Sequence, residues 1–102
     1  MNYLEYKNSS FNHKLREFYL SRNCPDPFNE KTKIQYCVPY QEKIKIEVTD
    51  NELTKIKTLV NEVKEKGIYD VEFFADGLKE GIYIYTMIAG RFTMVRRMLC
   101  LK

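Results

Sequence analysis

Tryptophan is missing from this 102-residue chain, histidine occurs once, as His13, and alanine occurs only as Ala75 and Ala89. With one imidazole there is no histidine pair for acid–base chemistry, and His13, near the start of a weak helical pattern, reads as an exposed side chain without a catalytic task. The sequence also lacks a glycine-rich phosphate loop, a serine elbow and any pair of metal ligands at helical spacing. Ser9, Ser10 and Ser21 lie near His13 but are accounted for by capping and turn formation. Cysteine is scarce. Cys24, Cys37 and Cys100 leave one thiol unpaired under any intramolecular bridge and match no zinc spacing, so they read as reduced and structural. No catalytic residue, metal site or cofactor is expected.

Long apolar runs are absent too. Nothing approaches the roughly twenty residues needed to span a bilayer, and Glu5, Lys7 and Asn8 stand where a signal peptide would need an apolar stretch. A soluble, cytoplasmic protein without a membrane partner is the expectation. No repeat, low-complexity tract or linker divides residues 1–102, which read as a single domain. A chain of this length buries roughly two-thirds of its unfolded surface without a metal or disulfide.

Pattern is plentiful from Gln41 onward. Ile44, Ile46 and Val48 alternate with Lys43, Lys45 and Glu47, as in a strand with one wet face. Leu53, Ile56, Leu59, Val60 and Val63 instead recur at three-and-four spacing, which predicts an amphipathic helix. Thr49, Asp50, Asn51 and Glu52 read as its capping box and Gly67 as its left-handed stop. Period two returns with Tyr69, Val71, Phe73 and Ala75, and Asp76 to Gly81 is turn-rich. Gly81 to Ala89 and Phe92 to Leu101 predict a hairpin about Gly90. Both of its strands are apolar on two faces, which places them mid-sheet or puts a partner over one face.

Residues 1–40 are less regular. Phe11, Leu15 and Phe18 predict a short helix from about Phe11 to Ser21, Met1 to Lys7 an edge strand or arm, and Ile34 to Val38 a strand that Pro39 ends or confines to a sheet edge. The cluster Asn23, Cys24, Pro25, Asp26, Pro27 must be a loop. The expected architecture is therefore α+β: one two-layer domain with a mostly antiparallel four- to five-stranded sheet and two helices. Its core order would be ββαβββ, residues 41–102 supplying a strand, a helix and three strands, with the N-terminal helix packed nearby.

Seventeen basic against fourteen acidic groups give a net charge of +3, too modest to declare a nucleic-acid footprint. The distribution is less even. Asp70, Glu72, Asp76 and Glu80 crowd one segment, whereas Arg91, Arg96, Arg97 and Lys102 share the last twelve residues with no acid. One expectation is cross-strand neutralisation, with Asp70 and Glu72 facing the arginines in one sheet. The other is a basic hairpin edge, Arg91, Arg96 and Arg97 flanked by Tyr83 and Tyr85, suited to a protein partner or to phosphate contacts and base stacking. Because strand neighbours point to opposite faces, at least one of Arg96 and Arg97 lies among apolar side chains, where it pairs with a carboxylate, sits at an edge, or contacts a ligand or second chain.

Abundant lysine, isoleucine, tyrosine and asparagine are the usage of AT-rich genomes, which include many low-GC bacteria and their phages. Small size, eight tyrosines, six phenylalanines and a basic hairpin favour a non-catalytic protein-binding protein. The expected kind is a phage or mobile-element inhibitor that occludes a nucleic-acid-handling host protein. The alternatives are an RNA- or DNA-binding protein or small basic ribonuclease, and a self-associating structural protein that forms a homo-oligomer.

Overall fold

A computed structural model describes residues 16–102, and every regular element among them is a strand. In chain order these are β1 (Tyr19–Leu20), β2 (Lys31–Val38), β3 (Glu42–Asp50), β4 (Lys55–Lys64), β5 (Gly67–Phe74), β6 (Gly81–Ala89) and β7 (Phe92–Cys100). They form two antiparallel sheets, one ordered β1-β2-β5 and the other β4-β3-β6-β7. The α+β expectation with two helices is overturned: the protein is β-rich, with no helix among the described residues. It follows that none of them forms a helix long and apolar enough to cross a membrane.

Alternation builds the shared core. Ile34, Tyr36 and Val38 of β2 and Phe73 of β5 join Ile44, Ile46 and Val48 of β3, Tyr83, Tyr85, Met87 and Ala89 of β6, and Met98 and Cys100 of β7 in one buried cluster. Each strand thus turns its apolar set toward the opposite sheet. The strands expected at Ile34 to Val38, Ile44 to Val48 and Tyr69 onward are all present, as is the hairpin about Gly90, whose φ is 59°.

The expected helix after Asp50 is strand β4, for two local reasons. The Asp50 side chain accepts hydrogen bonds from the Glu52 and Thr54 amides, each at 2.9 Å, and so closes a hairpin loop. The same short carboxylate chemistry serves helix caps and turns alike. Beyond it, the pairing of β3 with β4 slips twice, between Ile46 and Glu47 and between Val48 and Thr49. Each slip inserts a residue into β4 and resets its alternation. Two resets turn a period of two into an apparent helical spacing, and of the five apolar residues only Val60 is buried. Gly67 opens β5 and is not among the residues with positive φ.

The N-terminal helix expected from Phe11 to Ser21 falls partly outside the described residues, as do the Met1 to Lys7 arm and His13. Its described end holds β1, with Tyr19 paired to Cys37 and Leu20 to Tyr36. Phe18 packs at 5.1 Å from the Tyr40 ring and 5.6 Å from Phe92.

Leu53, in the β3–β4 loop, has φ of 67° while its side chain is 70% exposed. A branched residue gains nothing from this left-handed position, whereas asparagine tolerates it. Leu53→Asn is expected to stabilise the domain by about 0.5–1 kcal/mol, read as a higher urea midpoint; an unchanged or lower midpoint would refute it.

Candidate binding edge

The hairpin turn joining Ala89 to Phe92 sets which backbone groups of β7 face β6 and which face outward. Three contacts fix the outward set. The Phe28 amide donates to the Leu99 carbonyl at 3.0 Å and the Leu101 amide to the Phe28 carbonyl at 2.9 Å. The Leu99 amide donates to Asp26 Oδ1 at 3.0 Å. Alternation then turns the N–H and C=O groups of Thr93, Val95 and Arg97 to the same side. The strand β7 ends its sheet, and from Thr93 to Arg97 that side meets no backbone partner among the described residues.

Beside the open edge lies a notch of about 310 Å³ lined by Arg22, Asp26, Val95, Arg96 and Arg97. Arg96 points to the inner side and is committed: its Nε donates to the Leu20 carbonyl at 2.5 Å, and its guanidinium lies 5.7 Å from the centre of the Tyr19 ring. This is the arginine among apolar side chains, and β1 supplies the pairing group it needs. Arg97 and Arg22 are exposed and have no ion-pair partner among the described residues, and the same holds for Arg91 at the hairpin tip.

Cross-strand neutralisation of these arginines does not occur, because β5 and β7 belong to different sheets. Glu72 pairs with Lys31 at 3.1 Å and Asp70 accepts from Gln35 at 3.4 Å, both across to β2. On the sheet of β3 and β4 some charges do pair. Glu47 lies 3.2 Å from both Lys55 and Lys45, and those contacts hold its carboxyl below the ordinary range, Lys55 most strongly. At β7, by contrast, Arg97 has no ion pair among the described residues.

Tyr83 and Tyr85 are not at the surface. Both rings are buried in the core, and their hydroxyls donate to the Lys79 and Ser21 carbonyls, each at 2.7 Å. Burial raises the pKa of both, that of Tyr85 to about 12. Neither ring is available to stack on a base. The large apolar residues exposed on the outer side of this hairpin are aliphatic instead: Ile82, Ile88 and Val95, with Ile84 and Leu99 half-buried among them.

Of the arginines singled out from sequence, the fold brings Arg96 and Arg97 to the notch and leaves Arg91 at the hairpin tip. Sequence reasoning missed Arg22 and Asp26. They are brought to β7 by long-range contacts without local signature, the parallel bridge of Phe28 to Cys100 and the Asp26 bond to the Leu99 amide. Comparison with protein-family models, curated proteins and solved structures gives no match.

The two outer edges of this sheet differ. The β4 edge is kinked by two bulges and carries Lys55, Lys57 and Lys64, the usual defences against unwanted pairing. The β7 edge pairs with β6 in unbroken register, has no lysine or proline, and stands beside an aliphatic face.

Proposed function

We propose that this is a small non-catalytic protein-binding protein that receives an extended, acidic segment of its partner as an added strand on β7. The edge from Thr93 to Arg97 carries this reading, since main-chain groups there lack partners among the described residues and an incoming backbone would supply them. At about 3.4 Å per residue the free stretch is roughly 17 Å long. Ile82, Ile88 and Val95 offer apolar contact beside it, and unmatched Arg22 and Arg97 select negative charge. The competing reading, RNA or DNA binding, draws on the same arginines but loses its stacking platform with Tyr83 and Tyr85 buried.

The expected result is specific to the backbone. The amides of Thr93, Val95 and Arg97 should exchange with solvent quickly in the free protein and slowly in complex with a blocked strand-forming peptide. Val95→Pro removes an outward N–H that the β6 ladder does not use, so the fold should persist. Peptide affinity should fall about tenfold or more. Peptide binding with full strength by a folded Val95→Pro protein would exclude strand addition.

A further inference from the structure

We infer that the notch between Arg22 and Arg97 is a carboxylate subsite, taking an aspartate or glutamate side chain of the strand added to β7. This inference rests on the strand-addition reading and names the partner's chemistry at one position.

The fold contains an internal precedent. Asp26 places a carboxylate oxygen 3.0 Å from the outward Leu99 amide, so this edge already accepts a carboxylate on a main-chain N–H. Two residues back along β7, the Arg97 amide faces the same way without a partner among the described residues. Its surroundings are more cationic than those of Leu99, with the Arg22, Arg96 and Arg97 side chains all lining the notch. Because the Arg96 guanidinium is held by the Leu20 carbonyl, the two adaptable forks are those of Arg22 and Arg97. Exposed guanidinium forks and a main-chain N–H together match the planar acceptor geometry of a carboxylate.

Asp26 also limits the charge that the notch accepts. It lines the same cavity and offsets one of the three guanidinium charges, which suits a single carboxylate better than a run of phosphates. An acidic side chain lying beside Arg97 on the outer face of the added strand would enter it, with its aliphatic neighbours along the strand resting near Val95, Ile82 and Leu99. The last of these residues, with Ile82 and Arg97, lines a shallow apolar hollow next to the notch.

The test uses two blocked heptapeptides of alternating valine and threonine, one with a central glutamate and the other with glutamine there, titrated against the full chain by fluorescence anisotropy. The glutamate peptide should bind about tenfold or more tightly than its twin, and the preference should shrink as salt rises. In the double variant Arg22→Gln, Arg97→Gln the preference should vanish while the glutamine peptide keeps its affinity. Equal affinity of the two peptides for the unaltered protein would overturn the carboxylate subsite and leave strand addition standing. Failure of both peptides to bind at millimolar concentration would overturn both. A glutamate preference that survives the double variant places the acid elsewhere and overturns the assignment to this notch. Displacement of neither peptide by single-stranded RNA supports the assignment; RNA binding abolished by the double variant, without peptide binding, overturns it in favour of phosphate.

Discussion

Phe73→Ala is expected to remove about 3–5 kcal/mol of folding stability, the range for truncating a buried phenylalanine in a packed core. A domain of this size has a total of about 5–15 kcal/mol, so the variant should be largely unfolded at modest urea. Phe73 is 2% exposed and sits edge-on to Phe28, with ring centres 6.1 Å apart. Phe28 is the residue that ties the segment after Asp26 to the end of β7. The truncation should therefore act twice: it lowers the urea midpoint, and in the surviving native state it speeds exchange of the Leu99 and Leu101 amides. A loss below about 1 kcal/mol would mean that the two sheets do not share this core.

Alkaline conditions should destabilise the protein through Tyr85. Its ring is fully buried, and burial pushes its pKa to about 12 against the opposing pull of the Asn23 backbone amide and the Arg96 charge. In the unfolded chain the phenol titrates near 10. The group's folded pKa is the higher one, so its contribution is intact below pH 10. It is lost as pH rises from about 10 to about 12, because only the unfolded state releases the proton in that window. Two units correspond to roughly 2–3 kcal/mol. Tyr36 and Tyr83 are shifted in the same direction by burial and add to the slope. Urea melts at pH 9, 10.5 and 11.5 should show the fall, and Tyr85→Phe should flatten it while lowering stability at neutral pH, where the Ser21 carbonyl loses its donor. A slope that Tyr85→Phe leaves unchanged would show that the fall comes from other groups.

Strands were legible wherever alternation ran undisturbed. The pairings of β3 with β6, of β5 with β2 and of β6 with β7 run without a slip, and Ile44 to Val48, Tyr69 to Phe73 and the hairpin about Gly90 each fall where the pattern puts them. The β4 segment was not legible, since bulges are set by pairing with β3 and not by the residues of β4 alone. Asp50 deepened the error, because its side chain bonds nearby amides in a turn as it would in a helix cap. The division into two sheets was hidden as well. Period two says which residues share a face but not which strand lies beside which, so Asp70 and Glu72 were expected opposite arginines that belong to another sheet. At the binding edge, Arg96 and Arg97 stood out as adjacent charges in an apolar strand. Arg22 and Asp26 come from a proline-rich loop whose docking depends on Phe28 and Thr32, the latter's hydroxyl donating to the Pro25 carbonyl at 2.8 Å.

On the strand-addition reading, the Asp26 bond to the Leu99 amide also sets how far association would spread. It stops an incoming chain at one end of β7, while the turn at Gly90 stops it at the other. The opposite margin of the sheet is bent by bulges and studded with lysines. A ribbon that grows without limit needs two compatible long margins per molecule, one to accept and one to offer. Of the two margins of this four-stranded sheet, only that of β7 is straight and unpaired among the described residues, so on the strand-addition reading this sheet would take a guest on one side and not extend through both into a fibre.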